Sequence, residues 1–282
     1  MQSLKQYIKG RLKAPLAESN YKRFLADGNP PWKPGYDTHK IKSVTAAIND
    51  PAYDPYKLPD GFGWRLDERI VEYPWFMARL PAGKGRLLDA GSTLNHAHVL
   101  GHPKLREKTC TVSTLAPEQW SAWQWGVSYV YEDLRESCFR DAYFDWIACI
   151  STIEHVGLDN TMLYTSDGTK NETDTDGYVS CLMELRRMLK PGGVLFLSMP
   201  FGRRANHGWF QIFDAEMVDR LVERFAPQSG IETIYRYKAE GWTVGDRESA
   251  KDATYFDIHK QNTYDDDYAA ASRAVVCLEL TK

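Results

Sequence analysis

From about residue 85 onward, short apolar runs alternate with segments whose apolar positions recur every three or four residues. Arg86-Leu87-Leu88-Asp89-Ala90 reads as a short buried strand that ends in a glycine-containing turn. Thr109–Leu115, Val127–Tyr131, Phe144–Ser151 and Gly193–Met199 read as four further strands. Between the last two, Leu182, Leu185 and Leu189 make the stripe of a helix over Tyr178–Leu189. Lys190-Pro191-Gly192-Gly193 stops that helix, placing a basic residue near its C-terminus and then two kinds of breaker. A helix at Ala215–Phe225, a strand near Ile231–Tyr237 and a last strand at Arg273–Thr281 complete the pattern. Strands alternating with helices imply parallel βαβ units.

The N-terminal quarter reads differently. Leu4, Ile8, Leu12, Leu16 and Phe24 recur at multiples of four among Lys and Arg, so residues 1–25 read as amphipathic and mostly helical, divided by Pro15. Asp27 to Gly63, rich in Pro, Gly, Tyr and Asp, is predicted irregular with at most short helices. A helix is predicted at about Leu66–Leu80, kinked or divided at Pro74. The division expected is a cap over residues 1–75 and one α/β domain over 76–282, with polar insertions at about 158–177 and 241–270. The acidic run within Tyr264-Asp265-Asp266-Asp267-Tyr268 is expected to be a solvated loop.

The 282 residues, 43% hydrophobic and 26% charged, have the composition of an ordinary globular chain. A net charge of −3 shows none of the basic excess that phosphate neutralisation usually brings, so no nucleic-acid partner is expected. No apolar run approaches the ~20 residues needed to span a bilayer, and no membrane insertion is expected. Five scattered cysteines without zinc-like spacing, with Cys149 and Cys277 in apolar runs, fit a cytoplasmic protein. Aromatic clusters such as Tyr73-Pro74-Trp75 and Trp120-Ser121-Ala122-Trp123-Gln124-Trp125 fit either interlayer packing or an aromatic-lined cleft.

In an open parallel sheet, ligands bind beyond the carboxyl ends of the strands, where the strand order reverses. The residues to read are therefore Asp89-Ala90-Gly91-Ser92-Thr93-Leu94-Asn95, Glu132-Asp133-Leu134, Ser151-Thr152-Ile153-Glu154-His155-Val156 and Pro200-Phe201-Gly202. Each is weak alone, but their order and spacing resemble class I S-adenosylmethionine-dependent methyltransferases. The matching text is Leu-Leu-Asp-Ala-Gly-Ser at 87–92, Glu-Asp-Leu at 132–134, the run from Phe144 to Val156, and Leu-Lys-Pro-Gly-Gly at 189–193 with the apolar strand that follows. The resemblance covers residues 85–200 well and leaves the first 70 unexplained.

The resemblance implies a Rossmann-like, doubly wound, seven-stranded sheet with an antiparallel last strand, behind an N-terminal helical and irregular cap. It implies S-adenosylmethionine as cofactor, with Asp89, Ala90, Gly91, Ser92, Thr93 and Asn95 around the amino-acid end. Thr114 and Leu115 would stand at the ribose. Asp133 and the Leu134 backbone would stand at the adenine, and Ser151 beside the sulfonium. Two departures stand out: Thr93 and Asn95 replace the second and third glycines of the usual motif, and Thr114 stands where an acid would hold the ribose. The first turn lacks G-x-G-x-x-G, which argues against a nicotinamide dehydrogenase.

Methyl transfer to a hydroxyl needs a group that accepts a proton. His155, with Glu154 beside it, and His207 on the loop after the fifth strand are the catalytic candidates. His207-Gly208-Trp209-Phe210 and the residues after it also look like ubiquinone-pathway O-methyltransferases. Those enzymes and the small-RNA 2′-O-methyltransferases hold a divalent metal through E-x-x-E-H and a downstream His. Glu154, His155 and His207 would be the ligands here, with Ser151 in place of the first Glu. Against a metal role, E-H at this position also serves to orient the loop or as a metal-free base. Arg203 and Arg204 could meet an anionic acceptor or simply be solvated. The spacing around E-H-V-G-L also looks like bacterial methyltransferases of surface-glycan and nucleotide-sugar pathways, favouring O-methylation of a sugar or another small polar acceptor. A cofactor-binding protein without catalysis and a methyltransferase of protein or RNA remain open, as does the oligomeric state.

Overall fold

A computed structural model describes residues 16–257, 260–261, 263, 265–268 and 271–282. Leu4, Ile8, Leu12, Pro15 and Tyr264 lie outside the described residues. Residues 16–26 form a helix, α1, which buries Phe24. There follow α2 (Tyr36–Asn49), α3 (Arg69–Arg79), β1 (Arg86–Ala90), the one-turn α4 (Ala97–Leu100) and α5 (Pro103–Arg106), β2 (Thr109–Thr114), β3 (Ser128–Tyr131) and β4 (Phe144–Ile150). The chain continues through α6 (Gly177–Met188), β5 (Leu189–Pro200), β6 (Ala205–Asn206), β7 (Gln211–Ile212), α7 (Ala215–Phe225), β8 (Ser229–Lys238), β9 (Gly241–Gly245), α8 (Arg247–Ala250) and β10 (Ala274–Thr281).

Eight strands form one sheet in the order β3-β2-β1-β4-β5-β10-β8-β9. β1 pairs in parallel with β2 and β4, β2 with β3, and β4 with β5. β10 runs antiparallel between β5 and β8. This is the α/β sheet that the resemblance implies, with an antiparallel final strand and one strand more than the expected seven. The extra strand is β9, the first part of the insertion expected at 241–270, which folds back on β8 as a hairpin. The strand order reverses between β1 and β4, so their carboxyl ends diverge into a crevice.

Alternate strand residues feed two cores, as a two-residue period requires. Leu88, Ala90, Ile147, Cys149, Leu195, Leu197 and Val276 meet α6 and α7 on one face. Leu87, Val112, Ala148, Ile150, Phe196 and Val275 meet the N-terminal helices on the other. Crossovers on that second side are short: α4 and α5 are one turn each, and only a one-turn 3-10 helix (Trp123–Trp125) lies between β2 and β3. α3 covers the gap with Ile70, Val71, Trp75, Phe76 and Met77, all buried. Pro74 stays inside α3 rather than dividing it. The boundary expected between residues 75 and 76 falls inside the same helix, which shares its core with the sheet.

Three expectations are corrected. The stretch 27–63 contains α2, a 14-residue helix, because Tyr36, Val44, Ala47 and Ile48 supply a narrow buried stripe amid polar residues. The acidic run is not simply solvated, because Asp267 is 2.8 Å from Arg273 and Asp265 pairs with the same guanidinium just before β10. β5 begins at Leu189 instead of Gly193, since Leu189 already pairs with Phe144 before a register shift. Among the described residues, no helix is long and apolar enough to cross a membrane.

Candidate active site

Beyond the carboxyl ends of β1 to β4 lies a cavity of about 740 Å³. Its floor is the turn after β1, which is built around a buried carboxylate. Asp89 accepts from the Thr93 amide at 3.1 Å through one oxygen and from the Leu94 amide at 2.9 Å through the other. Both bonds favour its ionised form, but burial outweighs them and pushes the carboxyl up to about 8. Ala90 is fully buried below the turn, and Ser92 adopts a left-handed conformation. Gly91 has φ of 108°, and a Cβ there would sit 2.1 Å from Thr152 Oγ1. Only glycine therefore lets the β1 and β4 loops approach this closely.

The two missing glycines have structural replacements. Thr93 donates its hydroxyl to the Ile150 carbonyl at 2.7 Å, tying the first loop to the end of β4. Asn95 is buried outside the cavity wall, donating to the Trp120 carbonyl at 3.2 Å and accepting from Tyr129 at 2.8 Å. Thr114 and Leu115 form the wall beyond β2, and Asp133 and Leu134 the wall beyond β3. Glu118 is exposed away from this wall. Arg135 holds both oxygens of Asp133, at 2.6 Å for Nη2 to Oδ2, and this keeps the Asp133 carboxyl below its usual range. The same Nη2 donates to Glu172 at 2.7 Å, within the insertion expected at 158–177.

That insertion roofs the cavity with Met162, Leu163 and Tyr164. Its ends are pinched together. Leu158 bridges Thr173, and the Asp174 amide donates to the Gly157 carbonyl at 2.8 Å. The backbones are so close that a Cβ on Gly157 would lie 2.3 Å from the Asp174 carbonyl.

Ser151 lies in the wall with a left-handed φ of 40°. Its hydroxyl donates at 2.6 Å to Glu72 Oε1, which also accepts from Ser198 Oγ at 2.7 Å. Glu72 is fully buried on α3, and its other oxygen pairs with Arg69. Tyr73, also on α3, donates to the Thr93 carbonyl at 2.7 Å. The N-terminal region thus supplies Arg69 and Tyr73 to the cavity, and the β1–α4 loop adds His96. Sequence reasoning missed Arg69 and His96, and had Tyr73 only within an aromatic cluster open to either packing or a cleft. The one available signal is a charged Arg69/Glu72 pair on the turn of α3 that is otherwise apolar.

His155 reaches the cavity from a one-turn helix after β4 (Ile153–His155). Its Nδ1 is 2.9 Å from the Trp209 carbonyl, an acceptor only, so Nδ1 carries the hydrogen and Nε2 presents a lone pair. Burial pushes His155 down to about 4, so the ring is neutral at pH 7. Glu154 is buried behind it, with Oε1 3.9 Å from His155 Nε2 and its carboxyl held well above the usual range by burial. His207 does not join them. It lies outside the cavity wall, stacked on Phe210 at 4.4 Å and 3.4 Å from Asp257, while His155 packs near the same Phe210 ring at 5.9 Å. Among the described residues no group of three or more His, Cys, Asp or Glu could hold a metal ion, so Glu154, His155 and His207 do not form the expected ligand set. Arg203 and Arg204 are exposed, and Arg203 pairs with Asp252.

A family described as "Caenorhabditis protein of unknown function, DUF268" matches residues 133–213, from Asp133 to just past β7. No curated protein matches the sequence. Among solved structures, the chain is similar to 1,6-didemethyltoxoflavin-N1-methyltransferase of Burkholderia thailandensis, solved with 1,6-didemethyltoxoflavin and S-adenosylhomocysteine. The identity is 15%, covering 95% of this chain and 90% of that one, with a TM-score of 0.46. It is also similar to the YcgJ protein of Bacillus subtilis, at 14% identity over 75% of this chain and 97% of that one, with a TM-score of 0.46. A SAM-dependent methyltransferase of Archaeoglobus fulgidus matches at 10% identity over 78% and 96%, again with a TM-score of 0.46.

Proposed function

We propose that this chain is an S-adenosylmethionine-dependent methyltransferase that methylates a hydroxyl of a small polar acceptor, a sugar being the first class to test. The observation that carries the reading is the continuity of one cavity. It runs from Asp133 and Leu134, past Thr114, Gly91, Thr93 and Ser151, to His155 and Trp209. That is the order in which an adenine, a ribose, an amino-acid sulfonium and a nucleophile would need to be met. Gly91 supports such a cofactor by lining the cavity with bare backbone on a turn that only glycine lets close against Thr152 of the β4 loop. Tyr73, Tyr164 and Trp209 give the cavity flat apolar faces suited to a ring.

When bound, the cofactor supplies a methyl group already activated by its positive sulfur. The chain's part is to align the acceptor, keep water out and take up one proton. In this reading His155 accepts the hydroxyl proton at Nε2, which the bond from Nδ1 to the Trp209 carbonyl leaves unprotonated. Asp133 is placed to receive the adenine amino group, and Arg135 sets its orientation. The Thr114 hydroxyl offers the ribose a weaker partner than a carboxylate would.

Calorimetric titration with S-adenosylhomocysteine tests the cofactor site. Micromolar binding is expected, weakened about 10- to 100-fold by Asp133→Ala through loss of a charge-assisted hydrogen bond. No binding to the unmodified protein would sink the reading; binding without transfer to any acceptor would favour the non-catalytic alternative. Gly91→Ala should abolish binding while leaving the far-ultraviolet circular dichroism unchanged, because the added methyl meets Thr152 and the φ of 108° is strained for alanine. Full affinity in that variant would place the ligand elsewhere.

A further inference from the structure

Arg69 lines the cavity but has no task in the scheme above. It sits largely buried on the first turn of α3, and its guanidinium is charged at every pH at which the protein folds. Nη1 donates to Glu72. Glu72 is itself fixed by the hydroxyls of Ser151 and Ser198, so the guanidinium is held by a buried network and cannot swing out freely. Among the described residues no other guanidinium nitrogen of Arg69 is hydrogen-bonded, and neither Nε nor Nη2 of this cavity-lining residue is fully buried without a partner. Their donors are therefore available to a ligand.

The location is equally specific. Glu72 takes Ser151 from the β4 loop, and Tyr73 donates to Thr93 in the β1 loop, so the turn that carries Arg69 rests on both loops at once. A rigid fork of N–H donors at that junction matches a planar anion with two oxygens. We propose that Arg69 is the anion receptor of the cavity and takes a carboxylate of the ligand lying over the β1 and β4 loops. The identity of that carboxylate rests on the methyltransferase reading; the receptor itself rests on the geometry. Two sources could supply it: the amino-acid end of the cofactor, or an acid group on the acceptor.

The experiment titrates unmodified protein and Arg69→Met with S-adenosylhomocysteine, with 5′-methylthioadenosine, which lacks the amino-acid group, and with malonate. If the cofactor fills the receptor, Arg69→Met weakens S-adenosylhomocysteine about 10- to 100-fold and leaves 5′-methylthioadenosine within about twofold. Malonate then does not bind protein saturated with S-adenosylhomocysteine. If the acceptor fills it, both nucleosides bind the variant normally, and malonate binds the saturated unmodified protein but not the variant. Equal weakening of both nucleosides, or no change with any ligand, overturns the proposal. Failure of the unmodified protein to bind either nucleoside would count against the methyltransferase reading alone. Malonate binding to the free protein, lost in Arg69→Met, would still uphold the receptor, and its absence would overturn that too.

Discussion

On the proposed function, replacing His155 by alanine should lower the rate of methyl transfer by about two to four orders of magnitude and change S-adenosylhomocysteine affinity little. The measurement is single-turnover transfer of a labelled methyl group to the best acceptor in a panel of nucleotide sugars and phenols. The expectation follows from one hydrogen bond. Because Trp209 offers Nδ1 only a carbonyl, the ring keeps its lone pair on Nε2. Burial holds the ring near 4, so the base is ready throughout the neutral range. The rate should stay flat from about pH 8 to pH 5 and fall only as the ring protonates near pH 4. A variant that transfers at more than about a tenth of the normal rate would leave His155 an orienting role only.

The same depressed value has a stability side. In the unfolded chain the ring titrates near its ordinary value of about 6.5, so the unfolded state binds the proton more readily. His155 therefore contributes stability that is complete above about pH 6.5 and is lost as the pH falls through about 4.

Glu72→Ala should be the most destabilising single change in the site, costing about 3–5 kcal/mol. The substitution removes the carboxylate paired with the largely buried Arg69 and strips the acceptor from the hydroxyls of Ser151 and Ser198, residues that lie 79 and 126 positions away. The loss would be read from the urea midpoint at constant m-value, or as a fall in Tm on the order of 10 °C. Glu72→Gln, which keeps an acceptor oxygen but loses the charge, should fall between the two. A loss below about 1 kcal/mol for the alanine variant would show that the network contributes little to the folded state.

The elements legible in the sequence are those whose signals are local. β1 and α7 lie where the two-residue and 3.6-residue periods put them, and α6 ends one residue from the expected stop because Lys-Pro-Gly-Gly breaks a helix by itself. α2 was not legible, since its four buried residues sit among Asp, Lys and Thr that read as turn chemistry. β9 was hidden for a similar reason: its value lies in pairing with β8, which a polar insertion does not announce.

In the site, position after a strand was enough to mark Asp89, Gly91, Thr114, Asp133, Ser151 and His155, all of which shape or line the cavity. Thr93 read as a lost glycine, yet its hydroxyl makes a bond to Ile150 across 57 residues that no local pattern contains. His207 read as a partner of His155 by loop order, and Phe210, which stacks on it, is what decides otherwise. Arg69, Tyr73 and His96 reach the cavity through tertiary packing, which no local pattern in the sequence announces.

The pinched ends of the 158–177 segment carry a consequence for how such a chain can diversify. Leu158 and Thr173 meet as partners whatever lies between them, so the sheet below does not depend on the length or content of the roof. Lengthening a closed loop adds only about 0.6 kcal/mol per doubling, and that cost falls on a segment outside both cores. Met162, Leu163 and Tyr164 are accordingly free to be exchanged, lengthened or trimmed as a cassette. Such a cassette would have to remake the Glu172–Arg135 pair and the bonds by which the Asp159 amide and the Asn160 side chain reach the carbonyls of Gly208 and Trp209. The fold thereby separates the part that keeps the chain stable from the part that decides what shape fits beneath the roof.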